Sequence, residues 1–148
     1  MDNKKMYENI GEELIDVLPD AWEKVIFYGE IQEASYEFEY YVKLEGKNGY
    51  IKCFDLVNIS TSFMLKTFKN IYSLLRNERN KLSKEKLWSN CTFILKRDGE
   101  FAMNYDYSDL TDGNYFYKAL WKYKYLGETP SPENEELLKY VEEYKKNN

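Results

Sequence analysis

The sequence predicts an α+β fold, a single domain over residues 1–148. An antiparallel sheet of about five strands packs against helices, with one helix at the N-terminus and two at the C-terminus. Three features carry this prediction. Ser35 to Glu45 alternates apolar and polar residues at the period of a half-buried strand. Asn48-Gly49 and Asp98-Gly99 stand between strand-like runs, and both dipeptides accept the positive φ angles of a type I′ hairpin turn. Apolar residues recur at helical spacing near both ends and in the middle. A chain of 148 residues is long enough to bury a sizeable core, and no repeat, low-complexity tract or linker divides it.

The elements follow in order. Met6, Ile10, Leu14 and Val17 form a stripe, with Leu18 beside it, and predict a helix over residues 3–18. Asp2 or Asn3 can cap its start, and Pro19 ends it because the residue before a proline is pushed out of the helical region. Its polar face mixes acids with lysines, which suits core packing rather than a membrane surface. Val25 to Tyr28 reads as a strand closed by Gly29. In the next strand Tyr36, Phe38, Tyr40, Val42 and Leu44 take the buried face, and Glu37, Glu39, Tyr41 and Lys43 the wet one. With Asn48 and Gly49 as the two loop residues, Leu44 faces Cys53 and Glu45 faces Lys52. A four-residue loop shifts this register by two and keeps the faces. A second helix is expected from Ser60 to Asn80 on the stripe Met64, Phe68, Ile71, Tyr72 and Leu75.

Cys91–Arg97 and Glu100–Tyr107 form a second hairpin around Asp98-Gly99, in which Arg97 faces Glu100 and Ile94 faces Met103. Apolar residues on both faces of the Cys91 strand place it centrally. Asn114 to Leu126 reads as a helix stopped by Gly127. Ser131 caps a last helix with Pro132 at its first position. Leu137, Leu138, Val141 and Tyr144 form its stripe, and Glu133, Glu135 and Glu136 suit its first turn.

Composition narrows the chemistry. The chain has no His, which removes the commonest general base and metal ligand and every Ser-His or Cys-His arrangement. Cys53 and Cys91 are too few for a thiolate zinc site and read as buried free thiols. The net charge of -5 argues mildly against free nucleic acid and is compatible with a basic partner. No apolar signal region or membrane-spanning segment is read, so the expected compartment is the cytoplasm. From Lys66 to Lys86 seven basic residues outnumber two acids. With no aromatic interleaving or Gly-rich loop beside them, a solvated helix face with cations near its C-terminal end explains them better than an anion-binding surface does.

Three acidic windows stand out: Glu30, Glu33, Glu37 and Glu39; Asp98, Glu100, Asp106, Asp109 and Asp112; and Glu128, Glu133, Glu135 and Glu136. Two carboxylates could work as acid and base or hold a hard cation. The middle window lacks calcium-loop spacing, and the chain has no nucleophile elbow or phosphate-cradling loop. Neither catalytic, metal nor cofactor-binding residues are assigned. The same window suits binding better, because carboxylates set among aromatic anchors complement a basic cleft. The candidate partner-binding residues are therefore Asp98, Glu100, Asp106, Tyr107, Asp109 and Asp112. The competing reading is a solvated turn whose aspartates cap the next helix, with Asp112 as its N-cap.

Asp106-Tyr107-Ser108-Asp109-Leu110, followed by Trp121-Lys122-Tyr123-Lys124-Tyr125-Leu126-Gly127 and Pro130, resembles the YezG/EsaG-like immunity proteins. Met6-Tyr7-Glu8-Asn9-Ile10-Gly11, leading to Leu18-Pro19 and Trp22, resembles the start of the same family. The resemblance covers nearly the whole chain. It implies a cytoplasmic antitoxin of Gram-positive bacteria that binds a nuclease (DNase) toxin exported by type VII secretion. Such a protein silences its partner by occluding or deforming the active site and needs no cofactor. Two other readings of the residues stay open. One is a small carboxylate- or metal-dependent hydrolase. The other is an RNA-binding module using the basic second helix.

Overall fold

The computed structural model describes residues 3–148, so Asp2 as a helix cap lies outside the described residues. The chain divides into a first unit that runs to Ser108 and a second spanning Asp109–Asn148.

The first unit is built on the apolar run after Trp22, which forms β1 (Trp22–Ile31) and carries on through Gly29. A Cβ on Gly29 would lie 2.9 Å from the Phe27 ring and 3.0 Å from the Phe38 ring. The glycine therefore leaves room for these two aromatics, whose centroids are 5.1 Å apart. β2 (Tyr36–Leu44) and β4 (Asn90–Lys96) flank β1, β3 (Ile51–Lys52) lies outside β2, and β5 (Phe101–Asp106) lies outside β4. All pairs are antiparallel.

Helices α1 (Lys4–Ile15) and α2 (Thr61–Arg79) supply Ile10, Leu14, Met64, Phe68, Ile71 and Leu75 to the core. The sheet supplies Val25, Phe27, Phe38, Tyr40, Val42, Cys91, Phe93 and Leu95. The Ser60 hydroxyl accepts the Phe63 N–H at 3.3 Å and caps α2, which begins where its sequence predicts. Helix α1 stops earlier than residue 18. Val17 and Leu18 donate to the carbonyls of Leu14 and Ile15, three residues back, so the last turn before Pro19 tightens while both side chains stay buried.

Three expectations are corrected here. The wet face of β2 is largely buried: Glu39 and Tyr41 are shielded, as are Tyr28, Glu30, Asn90 and Thr92 on the same face of β1 and β4. Alternation marks only where polarity lies, and a buried polar row looks like a wet one in sequence. β3 is two residues long, and Val42 pairs with Ile51 and Tyr41 with Lys52. The expected faces survive but the register moves further than a four-residue loop allows, because residues 43–50 separate the last paired residues, and β3 ends where the chain turns away into a 3-10 turn at Cys53–Asp55. In the β4–β5 hairpin Phe93, not Ile94, faces Met103, and Ile94 faces Ala102. Lys96 N–H donates to the Glu100 carbonyl at 2.9 Å, so Arg97, Asp98 and Gly99 make a three-residue loop with Gly99 at φ 95°. Arg97 is drawn off instead: its Nη1 donates to the carbonyls of Asp20 at 2.8 Å and Trp22 at 3.0 Å.

In the second unit α3 (Tyr115–Leu126) ends at Gly127, and α4 (Glu135–Asn147) closes the chain. The two helices meet through Phe116 and Tyr140, with ring centroids 4.9 Å apart, and through the Lys124 ammonium, 5.0 Å from the Tyr144 ring centre. Helix α4 starts three residues later than a Ser131 cap predicts. The Ser131 hydroxyl does accept the Glu133 N–H at 3.3 Å, but its carbonyl accepts from Asn134, closing a turn before the helix begins.

Candidate functional site

The six sequence-predicted partner-binding residues fall into three places. Asp98 and Glu100 lie at the hairpin end of β5. Asp106 and Tyr107 lie at its far end, six residues from Glu100, or about 20 Å along an extended chain. Asp109 and Asp112 belong to the second unit. Within the first unit, the acids of the middle window are thus not one cluster.

Each carboxylate has a local role. Asp98 Oδ1 accepts the Glu100 N–H at 2.9 Å and shapes the hairpin loop. Glu100 reaches the Lys96 ammonium at 3.7 Å, an exposed pair of little energetic weight. Asp106 Oδ2 accepts from the Ser108 N–H at 2.9 Å and from Asn90 Nδ2 at 3.2 Å. Tyr107, beside it, is 59 % exposed. Asp109 Oδ1 accepts the Thr111 N–H at 3.0 Å and its hydroxyl at 2.7 Å, and these bonds hold its carboxyl below the ordinary value. Asp112 is exposed and is not the helix cap: α3 is entered through Asn114.

Among the described residues no three His, Cys, Asp or Glu side chains come together as a metal-ligand set. The clefts lie elsewhere. One of about 430 Å³ between α1 and α2 is lined by Glu12, Glu13, Asp16, Asn70 and neighbours. Another, of about 370 Å³ within the second unit, is lined by Lys118, Lys122, Ser131 and Asn134 among others. Neither contains a sequence-predicted site residue. Asp98 lines a hollow of about 350 Å³ with Glu23, Lys24, Lys96 and Arg97, where charges of both signs mix.

The basic second helix is partly spent on its own fold. Arg79 Nε donates to the Trp88 carbonyl at 2.8 Å and its guanidinium stands over the Trp88 ring. Arg76 stands over Tyr72, and Lys81 pairs with Glu78. Cys53 and Cys91 are free and buried, and burial pushes the Cys91 thiol up to about 12. Such thiols are inert.

Sequence reasoning missed two features. The buried polar row holds Tyr28, whose hydroxyl donates to Glu30 Oε1 at 2.7 Å, and Glu39, which pairs with Lys52 at 3.2 Å. The acids of this row were visible, but their burial was not. Phe54, Val57, Phe63 and Leu65 are large apolar side chains left exposed. The signal was that Phe63 and Leu65 fall off the buried stripe of α2.

Comparisons with known proteins identify the family. A family model described as "Immunity protein YezG-like" matches residues 3–141. Immunity protein YezG of Bacillus subtilis is 31 % identical, over 88 % of this chain and 91 % of that protein. Immunity protein YezG of Bacillus spizizenii is also 31 % identical, over all of this chain and 98 % of its own length. The type VII secretion system protein EsaG of Staphylococcus aureus is 29 % identical over 95 % of this chain and 91 % of that protein. The chain belongs to the YezG-like immunity protein family and is not an enzyme.

Proposed function

We propose that this immunity protein neutralises a secreted nuclease toxin inside the producing cell, binding its basic cleft and occluding or deforming its active site. The single observation that carries the reading is the segment from Asp98 to Tyr107, in which exposed carboxylates stand among aromatics. Asp98 and Glu100 stand at one end, Asp106 and Tyr107 at the other, and no Lys or Arg intervenes between Arg97 and Lys118. A nuclease must present cations to phosphate backbones. Carboxylates on a rim steer such a surface in, and a desolvated tyrosine slows its release. The net charge of -5 has the matching sign. Among the described residues no helix is long and apolar enough to cross a membrane, in keeping with a cytoplasmic site of action.

The test is co-expression with nuclease domains of type VII-secreted toxins, followed by affinity purification and a DNA-cleavage assay. A domain that co-purifies and loses cleavage supports the reading. Binding without loss of cleavage, or no binding to any domain, contradicts it.

A further inference from the structure

We propose that the outer edge of β5 is a strand-addition site that takes an extended segment of the toxin, carrying basic residues at its ends. The proposal rests on the toxin-binding reading above and adds how the partner is held.

β5 is the last strand of the sheet, and among the described residues no strand pairs with its outer side. The register fixes which backbone groups face out. Arg97 N–H donates to Glu23 and Ile31 N–H to Ser89, so the odd-numbered residues of β4 bond to β1. Its even-numbered residues bond to β5, as the Lys96 bond to Glu100 confirms. Their partners on β5 are Ala102, Asn104 and Asp106. The N–H and C=O groups of Phe101, Met103 and Tyr105 therefore point to the open side.

Exposed edges are ordinarily blunted by lysine, proline or a cover. Here Phe101-Ala102-Met103-Asn104-Tyr105 holds neither charge nor proline, and Phe101, Ala102 and Asn104 are exposed. Three donors and three acceptors in a row form a ready template for an added strand.

Charge decides between the two occupants that could use it. A second copy of this chain, paired antiparallel about Met103, would set Glu100 against the copy's Asp106 at both ends. Like charges directly opposite destabilise a pair. A partner strand with Lys or Arg at its ends meets those same carboxylates favourably. In that centred register the edge disfavours a second copy and favours a basic partner.

The test is amide hydrogen exchange by NMR on the whole chain, free and bound to whichever nuclease toxin domain co-purifies. In the free protein the amides of Phe101, Met103 and Tyr105 exchange fast, and those of Ala102, Asn104 and Asp106 slowly. On binding, the outward three slow by at least about tenfold. Met103→Pro removes an outward N–H while leaving the β4 ladder intact, and edge strands tolerate proline. It is expected to weaken binding by at least about tenfold, whereas Met103→Leu retains it. A bound domain that leaves the three outward amides at their free rates overturns strand addition but not toxin binding. Failure of every domain to bind overturns both. Protection that grows with concentration in the free protein assigns the edge to a second copy and overturns the proposal.

Discussion

The two faces of the sheet are both buried near the centre, yet they are held by different physics. Under α1 and α2 the face is almost purely apolar: Val25, Phe27, Phe38, Val42, Phe93 and Leu95 exclude water without needing partners. The opposite face carries Tyr28, Glu30, Glu39, Asn90 and Thr92, and polar groups stay buried only when they are bonded. Tyr28 donates to Glu30, Lys52 meets Glu39, and Asn90 donates to Asp106. The first face supplies stability through area and packing. The second depends on specific pairings and runs directly into the surface at Asp106, one of the proposed contact residues. Asp106 is therefore a poor probe of binding, because changing it also disturbs the sheet.

The comparison breaks most visibly on the apolar face. Phe93→Ala opens a cavity beneath α1, where Phe93 is fully buried and its ring lies 6.4 Å from that of Tyr7. It should cost about 3–5 kcal/mol by urea denaturation. A cost under about 1 kcal/mol would mean this face is not the main source of stability. Alkaline pH probes the same face through Cys91. Its thiol has an ordinary value of 9.0 and is pushed up to about 12 by burial. The unfolded chain thus gives up this proton first. The contribution is complete below about pH 9 and is lost as pH rises towards about 12. Burial raises Tyr40 and Tyr105 as well, so their contribution is lost in the same sense, at higher pH. Stability should fall steeply above pH 9, and Cys91→Ala should flatten the slope by up to about 1.4 kcal/mol per pH unit. An unchanged slope would exclude Cys91 as its source.

On the polar face the effects are smaller. Tyr28→Phe keeps the ring and removes the donor to Glu30. It should cost about 1–3 kcal/mol in the same denaturation experiment. No loss would show that the pairing is dispensable and that shape alone holds this face. At the surface, Glu100→Gln should change stability by less than about 0.5 kcal/mol, because its pair with Lys96 is solvent-screened.

How much of this was legible in the sequence depended on whether a feature is local. The start of α2 near Ser60, the stop at Gly127 and the apolar stripe of α2 are set by neighbouring residues, and the structure agrees with them. The β4–β5 register was not legible. Asp98-Gly99 fits a two-residue loop and a three-residue loop equally, and the choice is made by Arg97, which is held by carbonyls of Asp20 and Trp22 far back in the chain. One residue of slip exchanged Ile94 for Phe93 opposite Met103. Asp98 and Glu100 are close to Asp106 in sequence, but β5 lies between them and holds the two ends about 20 Å apart. Sequence could show their charge but not their separation.

In the proposed complex the toxin is held through the carboxylates of Asp98 and Glu100 at the tip of the hairpin. The most direct measurement is the affinity of wild type and of the Asp98→Asn/Glu100→Gln variant for the co-purifying nuclease domain, titrated across ionic strength. Both substitutions lie on exposed side chains, so folding should persist. If the hairpin carries the interaction, the variant binds at least about tenfold more weakly at low salt, and its salt dependence is flatter. Equal affinity and equal salt dependence would contradict the claim and move the interface elsewhere on the molecule.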